Sequence, residues 1–116
     1  MHSKGLVKLT VGDRERCLKL GTLSSAIFCE LENISIIEMQ DRLINARPFT
    51  LINFVFAGAS AYSRLNKEPV DYSVDDVSEW LDQIDQEDLV KLITEAMVTY
   101  EEKKSERSRV MKKTKR

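Results

Sequence analysis

Two cysteines and one histidine are the residues of this chain best suited to metal binding or thiol chemistry. Cys17 and Cys29 lie far apart in sequence, and His2 lies at the N-terminus. A structural zinc site takes four clustered ligands, and a redox pair has the spacing C-x-x-C. The sequence therefore predicts no metal site and two free thiols, buried or half-buried, in a reducing compartment.

The sequence has none of the common catalytic motifs. The sequence contains no G-x-S-x-G, no phosphate-binding glycine-rich loop and no H-E-x-x-H. No His, Cys or Lys stands at a spacing from a carboxylate that indicates a nucleophile. We therefore expect neither catalysis nor a cofactor, and the function to be sought is binding.

Charge is unevenly distributed along the chain although the net charge is only −1. The segment 68–88 carries nine acids and no Lys or Arg. This segment either binds a basic partner or marks two helix N-termini, where acids stabilise the helix dipole. The second interpretation is favoured for Asp75, Asp76, Glu87 and Asp88, but it leaves Glu68, Asp71 and Asp82 unexplained.

The C-terminal segment 101–116 has the opposite charge, with eight bases and three acids. Lysines such as Lys112 and Lys113 could hold phosphates or grip an acidic protein. The segment has no aromatic residue for base stacking, and the rest of the chain is acidic, so nucleic acid is an improbable partner. We expect a solvated tail, or a prolonged last helix, following one domain over 1–100.

The elements that would position these residues begin with a β-hairpin. Val7, Leu9 and Val11 alternate with polar residues, Gly12-Asp13 signals a turn, and Leu18 and Leu20 resume the alternation. A lone hairpin is marginal in water, so its apolar face must rest on helices or on another subunit.

The pattern of the chain after the hairpin predicts about five helices. The expected fold is therefore mainly α, with a single domain. A first helix runs from Thr22 or Ser24 to about Asn33, and a capping box, Ser35 to Glu38, opens a second. The later helices begin at Pro48, at Ser73 and near Asp85. The second helix should bury the stripe Ile36, Met39, Leu43 and Ile44, and the fifth should bury Leu89, Ile93, Ala96, Met97 and Tyr100.

The third helix, Pro48 to about Asn66, is apolar nearly all round, which is typical of a bundle centre or a subunit interface. Its segment Ala57-Gly58-Ala59-Ser60-Ala61 would let another helix approach closely. Trp80 lies on an apolar stripe and is most simply core. As candidate partner-binding residues the sequence offers Leu51, Phe54, Phe56, Trp80, Lys112 and Lys113.

The order of these parts resembles a known family. The hairpin LTVGDRERCLKLG leads into SSAIFCELENISIIEMQDRL, then an apolar helix, then YSVDDVSEWLDQIDQEDLVKLITEAM. The pattern is similar to the tail assembly chaperones of long-tailed bacteriophages and gene transfer agents, including the Leu31-Glu32 pair and the opening Ser73 to Val77. The resemblance covers about residues 5 to 100.

What the resemblance implies is non-enzymatic work. Such chaperones coat the aggregation-prone tape measure protein while tail tube subunits polymerise around it, and they tend to self-associate. With no secretory signal and no membrane span, the expected location is the cytoplasm, that of the host if the protein is phage-encoded. The alternative, suggested by the basic tail, is a small regulatory module that binds DNA or a DNA-binding protein.

Overall fold

The part of the chain that is described in a computed structural model, residues 5–11, 14–85, 87–92 and 94–95, is mainly helical, as the sequence predicts. A two-stranded antiparallel sheet comes first and five helices follow. The elements are β1 (Leu6–Val11), β2 (Arg14–Lys19), α1 (Thr22–Glu32), a 3₁₀ helix (Ile36–Glu38), α2 (Met39–Ile44), α3 (Pro48–Leu65), α4 (Val74–Asp82) and α5 (87–92 and 94–95). Within these ranges no helix combines the length and hydropathy that crossing a bilayer requires.

The hairpin forms, and it has the predicted apolar face. Val7 lies opposite Leu18 and Leu9 opposite Arg16 in the antiparallel ladder. Val7, Leu9 and Val11 are at most 8% exposed, whereas Lys8 and Thr10 between them point to solvent. The alternation of side chains along a strand therefore puts one apolar face inward, and this face completes the core.

The hairpin rests on α3, and the closest approach is at Gly58. A Cβ atom on Gly58 would lie 3.0 Å from Leu18 Cβ and 3.3 Å from Leu20 Cδ2. Strand β2 is therefore the element that packs where Gly58 has no side chain. The expectation that a helix would approach there was wrong at Gly58, because a pleated strand with branched side chains needs the same small surface.

Helix α3 lies at the centre of the fold, one of the two positions predicted for it, and contacts β2, α1, α2 and α4. Pro48 begins it, where the missing amide costs no hydrogen bond. Phe54 packs edge to face on Phe28 of α1, with ring centroids 5.9 Å apart. The two ends of the helix escape this burial, since Phe49 is 64% and Leu65 60% exposed.

Helix α4 begins with a reciprocal cap at Ser73. The Asp76 amide donates to Ser73 Oγ at 3.2 Å, and the Ser73 amide donates to the Asp76 carboxylate at 2.8 Å. Part of the acidic segment therefore serves a helix N-terminus, as predicted. The helix buries Val77 and Trp80 against the core.

The second helix differs from its prediction. It starts as a 3₁₀ helix, and α2 itself has only six residues. Met39 and Leu43 are buried, but Ile36 is 47% and Ile44 58% exposed, so the predicted four-residue stripe was wrong at its ends. Less than two turns of α-helix present one narrow side to the core, and Ile44 lies about 100° around the axis from Leu43.

Other predictions lie outside the described residues. These are the structure of the basic segment 101–116, with Lys112 and Lys113, and the end of the fifth apolar stripe, with Met97 and Tyr100.

We predict that Gly58→Val destabilises the protein through its contact with β2. Helix propensity alone favours replacing the glycine, but the branched side chain would overlap Leu18 and Leu20, and overpacking a core costs about 1 to 3 kcal/mol. Urea unfolding should show a lower midpoint for Gly58→Val than for Gly58→Ala, which adds a single methyl. An unfolding midpoint for Gly58→Val at or above wild type would contradict the close approach.

Candidate protein-binding surface

A nearly buried carboxylate, that of Glu32, joins three helices. Its side chain is 7% exposed, and Arg42 Nη1 of α2 lies 2.8 Å from Oε1. Asn53 of α3 donates from Nδ2 to Oε2 at 2.6 Å, and Thr50 donates from Oγ1 to Oε1 at 3.4 Å. Glu32 is thus held by donors from two elements that follow it in sequence.

Local sequence explains why these groups meet. Glu32 is the last residue of α1, and Asn33 ends the helix in the left-handed region at φ 54° and ψ 52°, a conformation that asparagine tolerates. The chain therefore reverses immediately after Glu32. Thr50 and Asn53 lie three residues apart on α3, on one side of that helix, and both are at most 9% exposed.

Large apolar side chains are exposed on the part of the chain that supplies this network. Eight are exposed among the described residues, and five of them fall between positions 31 and 49. We call these five the 31–49 surface: Leu31, Ile36, Ile37, Ile44 and Phe49. Leu31 precedes Glu32 and Phe49 precedes Thr50, so two of them adjoin residues that lie directly in the buried network. Clustered exposed apolar residues mark interaction sites more often than scattered ones do.

Ile37 and Ile44 of this surface are 84% and 58% exposed. Ile37 lies in the 3₁₀ helix, and Ile44 is the last residue of α2, which follows it directly in the chain. Met39 and Leu43 occupy the inner side of the same helix and are buried. The inner pair anchors α2, and the outer pair faces solvent.

A polar cleft of about 400 Å³ lies at α2 and is lined by Glu38, Asp41, Arg42, Asn45 and Arg47. Glu38 accepts from the Ser35 amide at 3.2 Å and from its hydroxyl at 2.9 Å. These bonds hold the pKa of Glu38 below its ordinary value, so this exposed carboxylate is charged at neutral pH. Of the two hydrogen bonds in the predicted capping box, the one from the Ser35 amide to Glu38 is present. The Glu38 amide donates to the Ser35 carbonyl instead of its hydroxyl.

The residues proposed from sequence lie mostly elsewhere. Phe54 and Trp80 are 4% and 6% exposed and belong to the core, while Leu51 and Phe56 are half-buried. Lys112 and Lys113 are not among the described residues. The sequence analysis did not identify Ile37 and Phe49 as exposed apolar residues. A signal was present, because each is a large apolar residue that belongs to none of the predicted buried stripes.

Aromatic residues form a second cluster where α4 meets β2 and α3. Tyr72 lies 5.1 Å from the Trp80 ring and packs edge to face on Phe56, and its hydroxyl is 2.8 Å from Ser63 Oγ. The Arg16 guanidinium lies 4.3 Å from the centroid of the Trp80 ring. This cation–π contact covers the indole from outside, so the cluster is filled by the chain's own residues.

The thiols agree with the sequence prediction. Cys17 and Cys29 are free and half-buried. Burial, assisted by the charges of Glu38 and Glu30, raises the pKa of Cys29, which leaves it protonated at neutral pH. No group of three or more potential metal ligands occurs in the described ranges.

We predict that Glu32→Ala destabilises the protein by about 2 to 4 kcal/mol, because two buried donors, on Thr50 and Asn53, lose their acceptor. The contribution of Arg42 should be small, since its side chain is 40% exposed. Glu30→Ala, an exposed acid on the same helix, is the matched control and should unfold close to wild type in urea. Equal midpoints for the two variants would contradict the role given to Glu32.

Comparisons with known proteins assign no family to this chain. No family model, no curated protein and no solved structure matches it.

Proposed function

We propose that this protein acts without catalysis, by binding an apolar segment of another protein on the 31–49 surface. The observation that carries the proposal is that five of the eight exposed large apolar side chains of the described residues fall between positions 31 and 49, on α1, the 3₁₀ helix, α2 and α3. Glu32 ties α1, α2 and α3 together. Exposing an apolar surface to water costs free energy, and this cost falls when a partner covers the surface.

The size of the surface favours reversible binding. Burying one large apolar side chain completely contributes about 1.5 to 3 kcal/mol, and these five are already partly buried. Association itself costs several kcal/mol in lost freedom. A complex made by this surface alone would therefore be of moderate affinity, which suits a protein that must release its partner.

Among partners, the resemblance of the motifs favours the tape measure protein of a long-tailed phage, with the tail tube protein as a further candidate. In this role the protein would be a tail assembly chaperone in the host cytoplasm. It would cover apolar segments of the tape measure protein until tube subunits replace it. The support is the motif order together with the exposed apolar side chains of the 31–49 surface.

The test is co-expression with the tape measure protein encoded nearby. Wild type should keep that protein soluble and co-purify with it, whereas Ile37→Ser/Ile44→Ser should lose most of the soluble complex. The complex should survive moderate salt, because apolar burial is not screened.

Leu65→Ser/Val90→Ser is the matched control, since Leu65 and Val90 are 60% and 57% exposed and lie outside the 31–49 surface. This variant should behave like wild type. Equal loss in both variants would show that the surface is not specific. Duplex DNA binding that falls steeply with salt, with no effect on tape measure solubility, would support the regulatory alternative instead.

A further inference from the structure

Strand β1 has one edge that β2 does not use. The Leu20 amide donates to the Gly5 carbonyl at 2.7 Å, so these two residues form a hydrogen-bonded pair across the hairpin. In an antiparallel ladder such pairs recur at every second residue, so the odd-numbered residues of β1 direct their amides and carbonyls at β2. The even-numbered residues direct theirs away from β2. These are Leu6, Lys8 and Thr10.

The outward backbone groups of these three residues have no partner in the described part of the chain. The sheet has two strands there, and the backbone hydrogen bonds outside the regular elements include none from Leu6, Lys8 or Thr10. A row of unpaired N–H and C=O groups at a sheet edge is a template for another strand. It selects an extended occupant, because a helix has already used its own backbone groups.

The same edge forms one wall of a groove of about 270 Å³, which we call the β1–α5 groove. Residues 6–10 line this wall, and the other lining residues are Ile84, Asp88, Lys91, Leu92 and Glu95. The groove is smaller than the roughly 300 to 1,000 Å³ of pockets that enclose small molecules, so a small ligand is a poor occupant. An extended chain can lie along β1 and continue beyond both ends of the groove.

Side chains beside the edge specify the sequence of this chain. Residues that face each other in an antiparallel pair place their side chains on the same face of the sheet. Those opposite Lys8 and Thr10 would therefore point to solvent, as these two do, and an acid opposite Lys8 would form a favourable cross-strand pair. The residues between them would point inward beside Val7 and Leu9, towards the side of the buried Leu92, and should be apolar.

A second copy of this chain fits the edge poorly. Two antiparallel β1 strands would be related by a two-fold axis perpendicular to the sheet, which keeps the inner faces of both hairpins on one side. Each α5 lines the groove beside its own β1, so the axis would bring two α5 helices to one narrow groove. A helix with its side chains is about 10 Å wide, whereas an added strand lies about 4.8 Å from its neighbour. The occupant that fits is a segment of another protein.

We propose that the free edge of β1 binds an extended segment of a partner protein as a third, antiparallel strand. In this segment apolar residues alternate with polar ones, and an acid lies opposite Lys8. The edge is separate from the 31–49 surface, so the proposal does not rest on the proposed function and its test does not involve the tape measure protein.

N-methylated peptides test the pairing. The probe is a synthetic peptide of about eight residues in which Val alternates with Thr and Glu. In the antiparallel arrangement the amides of its polar residues donate to β1, and the amides of its valines point away. In fluorescence anisotropy, N-methylation of two polar residues should weaken binding by at least about tenfold, because two hydrogen bonds are lost. N-methylation of two valines should leave the affinity close to that of the parent peptide.

Equal effects of the two N-methylations would overturn the proposal. A larger effect at the valines would also overturn it, since those amides would face β1 only in a parallel pair. The same holds if the parent peptide does not bind.

Amide hydrogen exchange locates the peptide on the protein. In the free protein the amides of Lys8 and Thr10 should exchange faster than that of Leu9, which donates to β2. Saturating peptide should slow exchange at Lys8 and Thr10 by at least about tenfold. Bound peptide without this protection would contradict the assignment to the edge.

Proline variants provide the matched pair on the protein. Thr10→Pro removes an outward amide at an edge position, where a strand tolerates proline, and should abolish peptide binding. Glu15→Pro places the same residue directly opposite on β2 and should bind like wild type. Circular dichroism should show both variants folded. If Thr10→Pro unfolds, the N-methylated peptides and hydrogen exchange still decide the proposal.

Two other occupants would give distinct results. A second copy on the edge would appear in sedimentation as a dimer that the peptide dissociates. If the chain's own segment 101–116 covered the edge, deleting that segment would speed exchange at Lys8 and Thr10 and tighten peptide binding. Either result would overturn the proposal, whereas a monomer whose peptide affinity is unchanged by the deletion would support it.

Discussion

The burial of α3 is the constraint on which the rest of the structure depends. A helix that is apolar on nearly every side is stable in water only when other elements cover most of it. Strand β2 covers it at Gly58, α1 covers it through Phe28, and α4 packs against it as well. The hairpin, which would be marginal alone, gains its stability from the same contact.

Polar groups at the start of α3 impose a second constraint. Thr50 and Asn53 are buried with their side chains, and buried donors require acceptors. Glu32 supplies both acceptors, and its own charge is balanced by Arg42 at the cleft. This network determines how α1 ends, where α2 lies, and how the first turn of α3 is presented to solvent.

The exposed apolar residues follow from these two constraints. Helix α2 is short, and it is fastened to the fold by Met39, Leu43 and Arg42 on its inner and one lateral side. Its remaining sides and the 3₁₀ helix before it do not reach the core, so Ile44 and Ile37 are exposed to solvent. Apolar side chains at such positions add little to the stability of the isolated chain, and this is the physical basis of the proposal that a partner covers them.

Local patterns in the sequence determined most of the architecture. Alternation gave the hairpin and its buried face, Pro48 and Ser73 marked two helix starts, and the all-round apolar character of α3 placed it in the centre or at an interface. These features depend on neighbours in sequence, so the sequence was sufficient. Tertiary structure decided that α3 lies at the centre of the fold and that β2 rather than a helix meets Gly58. It also decided that Phe54 and Trp80 belong to the core, whereas Ile37 and Ile44 lie at the surface. Apolar character alone cannot distinguish these cases, because burial depends on which sides of a helix the distant elements happen to cover.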